Sequence, residues 1–291
     1  MILEPSTKSN LRGRKRLDSL FGYLCQFAAG LGVLILIIFL LKIVADGLPN
    51  LSWKFIVGEL SQRPGRTGIW PAIVGSIYVM LLTALFSVPV GVAAAIYLEE
   101  FNRRKSRLIS IIQLNIANLS GVPSIVYGLL GRFLFVYAFG LKQSVIAGAL
   151  TMTLLILPTV IIVTQEALKA VPKSYREGSM ALGSTQWQSI RLQVLPNALS
   201  GILTGVILSI SRAIGETAPL IVVGAVSYVS ASPRNLGDSF TVLPIKIFDW
   251  ANESNDKFHQ VAASAILVLM VGLLFINSFA IYFRARAKAK K

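Results

Sequence analysis

The sequence contains few of the residues that build disulfides, metal sites and soluble surfaces. Its one cysteine, Cys25, excludes a disulfide within the chain, and its one histidine, His259, has no companion with which to bind a metal. Charged residues make up only 14% of the 291 positions, whereas they approach a quarter of the residues in soluble globular domains. The composition therefore excludes a soluble domain of this size.

Apolar residues take the place of the missing charge. They make up 54% of the chain, the mean hydropathy is +0.69, and six apolar runs are each long enough to cross a hydrocarbon core of about 30 Å. The first run is too long for a cleavable signal peptide, so we expect a retained span. The sequence predicts an all-α polytopic membrane protein with six transmembrane helices at about residues 20–45, 70–98, 108–140, 143–163, 198–226 and 260–283.

The third apolar run is too long for one straight helix. Residues 108–140 would extend about 50 Å at 1.5 Å per residue, well beyond the thickness of the hydrocarbon core. We expect a break at Gly121-Val-Pro123, because proline interrupts the helical hydrogen bonds. Arg132 lies beyond this break, and its long side chain is expected to reach the outer membrane interface.

Basic residues set the predicted orientation. The formal net charge of +15 comes from short clusters between apolar runs, which is typical of membrane topology rather than of nucleic-acid binding. The predicted cytoplasmic segments hold 5, 4, 4 and 5 Lys and Arg, against 3, 1 and 3 in the predicted external loops. We therefore place both termini in the cytoplasm, with tails at residues 1–19 and 284–291 around a membrane domain at residues 20–283.

Residues 166–197 form a polar segment between the fourth and fifth runs. The stretch 177–182 suits a short helix, and Gly183 occupies the position where a left-handed residue ends such a helix. A second short helix then begins at Ser184 or Thr185. The polar segment is predicted to be two short helices at an angle to each other.

The second of these helices carries apolar side chains, including Trp187, Ile190 and Leu195, among polar ones. It then meets Pro196, whose missing N–H is harmless in the first turn of the following helix. A membrane protein gains little from an apolar face in water, so we predict that a soluble partner covers this one. The alternative is an ordinary pair of helices that packs on its own protein.

The fifth apolar run contains charges of both signs. Arg212 and Glu216 are four residues apart and share one helix face, and Arg212 lies near the middle of the predicted span. Each charge at this depth costs about 2.5 to 3.5 kcal/mol, so the pattern indicates either a wet pathway or a tight pair that holds the bundle together. Pro219 frees the carbonyl of Gly215 and loosens the helix beside Glu216.

Motifs for chemistry of its own are missing from the chain. No G-x-x-x-x-G-K-[ST] occurs, so this chain is not expected to hydrolyse ATP itself. One function open to such a chain is that of an ion- or proton-coupled carrier of small anions. Such a carrier would be expected to have several acids at membrane depth, but only Glu216 lies deep within an apolar run. An intramembrane enzyme would need a nucleophile and base or a metal set, which one external histidine does not supply.

The polar segment resembles the EAA loop of ABC importer permeases, which docks on the ATP-hydrolysing subunit. The resemblance rests on spacing. Both alanines of the family pattern are replaced in this chain by small residues, and Gln193 stands where the family has an apolar residue. The residues that the resemblance assigns to the contact with the ATPase are Glu177, Gly178, Ser179, Gly183, Trp187, Leu195 and Pro196.

Further motifs make the resemblance closer. From about residue 47 to residue 283 the chain resembles the PstA family, permeases of the bacterial high-affinity phosphate ABC importers. The stretches that carry it are Gly68-Ile-Trp-Pro-Ala-Ile-Val-Gly-Ser76, Pro123-Ser-Ile-Val-Tyr-Gly128, Tyr175-Arg-Glu177, Arg212-Ala-Ile-Gly-Glu-Thr-Ala-Pro219 and Val242-Leu-Pro-Ile-Lys-Ile-Phe-Asp-Trp250.

The resemblance implies a fold, a location and partners. It implies the type I ABC importer permease fold, a multi-pass position in the bacterial inner membrane among its lipids, and a homologous PstC-type permease as neighbour. It also implies two PstB-type ATPase subunits, which use ATP and Mg, and a periplasmic phosphate-binding protein. This chain is expected to bind no cofactor or nucleic acid and to catalyse no reaction.

The resemblance also places Arg212 and Glu216 at the family's membrane-buried charged pair. We predict that these two residues, with Ser211 and Thr217, line the pathway of inorganic phosphate. A guanidinium can bind two phosphate oxygens at once, and a carboxylate can accept a hydrogen bond from protonated phosphate but not from sulfate. A related oxyanion such as phosphonate is the alternative cargo.

Overall fold

A computed structural model describes residues 6–101, 106–225, 229 and 232–289 of the chain. Within these residues the regular structure is helical. The α-helices are α1 (Ser6–Gly47), α2 (Trp53–Val57), α3 (Trp70–Ile96), α4 (Arg107–Ser120), α5 (Ser124–Gly131), α6 (Val145–Lys169), α7 (Lys173–Ala181), α8 (Gln186–Ser189), α9 (Leu195–Ile214), α10 (Ala218–Val223), α11 (Leu243–Ala251) and α12 (Asp256–Ala289).

Turns of other helical types extend several of these helices. Wider π turns continue α3 over Tyr97–Phe101 and α5 over Arg132–Ala138, and a third, Ile190–Val194, joins α8 to α9. Short 3₁₀ turns lie at Leu48–Asn50 and Pro64–Arg66. Because a π turn keeps the chain helical, α8 and α9 form one continuous helical stretch.

Five helical stretches among the described residues are long and apolar enough to cross a membrane. A sixth is added if α4 and α5 count as one bent span, and this agrees with the predicted all-α fold with six spans. α4 and α5 meet at 102°, so the predicted break at residues 121–123 is confirmed. The five stretches are Leu17–Asn50, Trp70–Phe101, Val145–Lys169, Gln186–Ile214 and Asp256–Phe279.

The fifth predicted span differs from the structure at its start and in its interior, and its predicted end at residue 226 lies outside the described residues. The helical stretch begins at Gln186 rather than near residue 198, because the π turn lets it run on through Pro196, which occupies the first turn of α9. It ends at Ile214, and α10 starts again with Pro219 in its first turn. The predicted single helix is therefore two helices with a break at residues 215–217.

The predicted tails also differ from the structure in one respect. α1 begins at Ser6 and α12 ends at Ala289, so the described parts of both tails are helical and continuous with the adjoining spans. Residues 1–5 and 290–291 lie outside the described residues. At the boundary between tail and span the side chains change from polar to apolar, while the backbone stays helical.

α6 lies at the centre of the bundle. It packs along α3 and α9 and also contacts α4 and α5. Small residues allow these helices to approach closely, since Gly91 of α3 lies against Val160 and Gly205 of α9 lies against Val163. α1 instead packs along α12 at the edge of the bundle, where Ser264 Oγ donates to the carbonyl of Gly47 at 2.7 Å.

Candidate functional site

The polar segment folds locally as its turn residues dictate. Gly183 has φ +87° and follows Leu182, the residue that caps α7, so its predicted left-handed conformation is confirmed. Thr185 begins α8, and its hydroxyl accepts from the N–H of Gln188 at 3.3 Å. The Gln188 side chain accepts in return from the N–H of Thr185 at 2.8 Å, which completes a capping box.

The apolar face of the polar segment differs from the predicted one. Trp187 is 52% exposed, as expected of a residue that needs a cover, but Ile190 is buried inside the chain's own bundle and Leu195 is half-buried. Leu182, which the sequence reasoning missed, is 90% exposed. The exposed apolar side chains therefore flank the turn at Gly183.

The remaining predicted contact residues lie on α7. Glu177 and Gly178 are exposed, and a Cβ added at Gly178 would meet nothing within 4 Å. Ser179 points the other way: its Oγ donates to the carbonyl of Arg176 at 3.0 Å and lies 2.5 Å from Ser189 Oγ of α8. Ser179 thus fixes the angle between the two short helices.

A buried ion pair that the sequence reasoning missed anchors the polar segment. Arg176 of α7 and Glu100 of the π turn after α3 are both buried, and Arg176 Nη2 lies 2.5 Å from Glu100 Oε1. Arg176 Nε donates to both carboxylate oxygens, at 3.1 and 3.0 Å. The two residues are 76 positions apart, so no local spacing could have indicated their contact.

The polar segment also borders a cavity of about 670 Å³ on the predicted cytoplasmic side. Its walls are the end of α3, α4, the end of α6 and α7, and they carry charges of both signs. The lining residues are Leu98, Glu99, Glu100, Ile109, Ser110, Gln113, Lys169, Val171, Lys173, Arg176 and Glu177.

Arg212 and Glu216 lie at the break between α9 and α10. Their closest atoms, Arg212 Nε and Glu216 Oε1, are 4.0 Å apart. The Arg212 side chain is 79% exposed and that of Glu216 is 26% exposed, so each keeps hydrogen-bonding capacity for another group. This is a loose pair, unlike that of Glu100 and Arg176.

The two charges face a cavity of about 330 Å³. The bend between α4 and α5 forms one wall and α6 another, so both broken helices of the bundle meet here. Irregular backbone at membrane depth is tolerated where it lines a wet cavity. The lining residues are Leu119, Ser120, Gly121, Val122, Pro123, Ser124, Tyr127, Leu155, Ile156, Thr159, Ser209, Arg212, Ala213 and Glu216.

Ser211 and Thr217 lie outside this lining. Ser211 points to α12, where its Oγ donates to Asn277 Oδ1 at 2.5 Å, and Thr217 precedes α10. Ser209, one helical turn before the charged pair, lines the cavity in their place. Because Ser211 and Arg212 are neighbours on a helix, they face directions about 100° apart.

Two side chains fix the broken helices beside the cavity. Tyr127 of α5 donates its hydroxyl to the carbonyl of Leu119 at 2.8 Å, across the bend from α4. Arg132 Nη1 donates to the carbonyl of Val222 at the end of α10, at 3.2 Å. The unpaired carbonyls at the end of α10 thus attract the charge of Arg132, and the extension of this side chain to the membrane interface stays a prediction.

The external loop before α11 closes the start of α6. Asp238 accepts from the backbone N–H groups of Arg234 and Asn235, both at 2.8 Å, and these hydrogen bonds hold the pKa of Asp238 below its ordinary value. Its carbonyl accepts from the N–H of Val145 at 3.1 Å.

Burial lowers the pKa of Lys246 in α11, although nearby Asp249 opposes the shift.

Comparison with known proteins agrees with this architecture. Residues 87–289 match the family of binding-protein-dependent transport system inner membrane components. The chain is 32% identical to the probable ABC transporter permease protein YqgI of Bacillus subtilis, over 91% of this chain and 94% of that one. It is also 32% identical to the phosphate transport system permease protein PstA of Pasteurella multocida, over 94% of this chain and 97% of that one.

Solved structures show the same fold. A chain of the inward-facing MetNI methionine ABC transporter superposes with a TM-score of 0.63 at 17% identity, covering 75% of this chain and 97% of that one. A similarity at this identity concerns the fold alone. The match over residues 87–289 and the full-length relatives decide the family. The chain belongs to the inner membrane components of binding-protein-dependent transport systems: it is a multi-pass permease subunit of an ABC transporter and not itself an ATPase.

Proposed function

We propose that this chain conducts inorganic phosphate into the cell as one permease subunit of an ATP-driven importer. The observation that carries the proposal is the 330 Å³ cavity at the meeting point of two broken helices, with Arg212 and Glu216 on its wall. Relatives that are 32% identical and named as phosphate transport permeases support the choice of cargo. Charges at membrane depth are costly, so their presence at a cavity favours a pathway.

The side chains of this cavity suit a protonated oxyanion. Arg212 is loosely held by Glu216, so its planar guanidinium is free to donate two hydrogen bonds to two phosphate oxygens. Glu216 then accepts the hydrogen bond of the P–OH group. Sulfate carries no proton at neutral pH and would leave two anions facing each other, which disfavours it.

The proposed partners follow from the exposed surfaces. Leu182 and Trp187 flank the turn at Gly183, and we assign them to the groove of a separate ATPase subunit that uses ATP and Mg. The large exposed fraction of Arg212 fits a pathway shared with a second, homologous permease of the PstC type. A periplasmic phosphate-binding protein would deliver the cargo to the external loops.

Uptake into vesicles that contain the complete complex tests this function. Phosphate uptake should require ATP inside the vesicle and should persist without a proton gradient, whereas an ion-coupled carrier would behave in the opposite way. Excess unlabelled phosphate should compete, and sulfate should not. Competition by a phosphonate as strong as that by phosphate would transfer the assignment to that related cargo.

A charge exchange separates cargo contact from a structural pair. If the pair only stabilises the bundle, the double variant Arg212→Glu with Glu216→Arg restores the ion pair, because exchanging the two charges leaves their attraction unchanged. Uptake should then recover. If Arg212 contacts phosphate, the exchange moves the guanidinium about 6 Å along the helix, and uptake stays lost. The Arg212→Lys variant should assemble normally but transport phosphate poorly, because lysine lacks the planar guanidinium that binds two oxygens at once. Near-normal uptake by either variant would contradict the contact.

A further inference from the structure

The buried pair of Glu100 and Arg176 joins three parts of the bundle. Arg176 lies on α7 in the polar segment, and Glu100 lies in the π turn that ends α3. The same guanidinium donates to the carbonyls of Leu168 and Val171 at the end of α6, at 2.8 and 2.7 Å. One side chain therefore holds the polar segment, α3 and α6 together.

The pair uses the whole guanidinium. Arg176 Nε donates to both oxygens of Glu100, Nη2 donates to Glu100 and to Leu168, and Nη1 donates to Val171. A lysine has one nitrogen on a flexible stem and cannot reproduce this planar set of donors. The contact is thus specific to arginine at this position.

The second short helix is fixed to the same turn. Gln186 Nε2 of α8 donates to the backbone carbonyl of Glu100 at 2.6 Å. Ser179 and Ser189 join α7 to α8 at 2.5 Å. Both halves of the polar segment therefore converge on the π turn after α3.

Chain connectivity shows what the pair adds. The polar segment continues directly from α6 and runs on into α9, so a displacement of the segment reaches both helices through the backbone. α3 has no covalent link to it. At its outer end α3 contacts the external loop, where Ser76 Oγ accepts from the N–H of Leu243 at 2.9 Å. α3 already packs along α6, and the pair with Arg176 adds a direct link between the end of α3 and the polar segment.

We infer that Glu100 and Arg176 are positioning residues that make α3 move with the polar segment during ATP-driven transport. This inference rests on the proposed function, because it takes the polar segment as the contact with the ATPase. Neither residue touches cargo or ATP. Loss of the pair should therefore uncouple ATP hydrolysis from transport rather than abolish either assembly or hydrolysis.

The test compares Arg176→Lys with a matched control, Arg107→Lys, at an exposed arginine that begins α4. The complete complex is purified and reconstituted, and copurification of the ATPase, ATP hydrolysis and phosphate uptake are measured together. Arg176→Lys should keep assembly and hydrolysis near the parental level while uptake per ATP falls by about tenfold. An unchanged ratio of uptake to ATP, or a loss of uptake only in proportion to lost complex, would overturn the inference.

A cross-link tests the same contact without dependence on that variant. Cys25 is the single cysteine, so Cys25→Ser gives a background for Glu100→Cys with Arg176→Cys. Uptake per ATP should be low in the reduced protein and should recover when a short bifunctional thiol reagent joins the two positions. Failure to recover in the joined protein would refute the coupling role.

The parental complex separates this inference from the proposed function. If the parental complex hydrolyses ATP and takes up no phosphate, the proposed function fails. If the parental and Arg176→Lys complexes both take up phosphate at the same ratio to ATP, only the role of the ion pair fails.

Discussion

At the scale of single residues, this chain accommodates charge in two different ways. Glu100 and Arg176 are buried, and the guanidinium finds an acceptor for each nitrogen. Arg212 and Glu216 approach only to 4.0 Å and stay open to a third group. A buried charge is stable when its hydrogen bonds are complete, whereas an incompletely bonded charge at membrane depth needs water or a ligand. The geometry thus distinguishes a fully hydrogen-bonded pair from a pair that can still bind a third group.

Close approach of two backbones at Gly75 gives a residue-scale prediction. A Cβ at this position of α3 would collide with the carbonyl oxygen of Thr241, which belongs to the external loop. Gly75→Ala should therefore destabilise the protein by about 1 to 3 kcal/mol, because backbone cannot move aside as a side chain can. The melting temperature in detergent should fall by several degrees, whereas Gly22→Ala, with nothing within 4 Å, should not lower it. Equal melting temperatures for the two variants would contradict the collision.

At the scale of elements, proline accompanies both helix breaks. Pro123 lies at the break between α4 and α5, and Pro219 lies just after the break between α9 and α10. The break at residues 121–123 follows directly from proline in an overlong run. The sequence predicts that Pro219 only loosens a helix, but α9 ends at Ile214 and α10 begins anew at Ala218, because Pro219 has no N–H with which to continue the helical hydrogen bonds. The π turn at residues 190–194 left no mark in the sequence pattern, so the continuity of α8 with α9 could not be predicted.

The turn between α7 and α8 provides a pair of opposite predictions. Gly183 has φ +87° and free space around it, so Gly183→Val acts through backbone strain alone, at about 1 kcal/mol or more. The strain redirects α8, and we expect an inserted protein that no longer copurifies with its ATPase. Gly178→Ala, in the exposed middle of α7, should instead favour the helix by up to about 1 kcal/mol and keep copurification.

Pull-down of the ATPase on this chain measures both variants. Membrane levels of each variant, determined by immunoblot, serve as the control for folding and insertion. Normal copurification and uptake with Gly183→Val would remove the docking role of the polar segment. Loss of copurification with Gly178→Ala would show that α7 needs flexibility rather than helix propensity at that point.

At the scale of the whole molecule, local patterns could be read from the sequence and distant contacts could not. Composition predicts the number of spans, and turn chemistry predicts the left-handed Gly183 and the position of Pro196 in the first turn of α9. Helical spacing predicts that Arg212 and Glu216 share a helix face. The contact of Arg176 with Glu100 and that of Arg132 with Val222 depend on packing between elements 76 and 90 positions apart. Burial of Ile190 likewise depends on the bundle around it, so its exposure was wrongly expected.

Membrane orientation gives the last prediction, because every proposed contact depends on which side the polar segment faces. The basic clusters predict that α4 begins in the cytoplasm and that the turn between α11 and α12 lies outside. In the Cys25→Ser background, Ser254→Cys lies in that turn and Ser106→Cys directly precedes α4, and both positions are exposed. A membrane-impermeant maleimide should label Ser254→Cys in intact spheroplasts and Ser106→Cys only after the membrane is opened. The reverse pattern would place the polar segment outside, away from ATP, and would refute both its docking role and the coupling through Arg176.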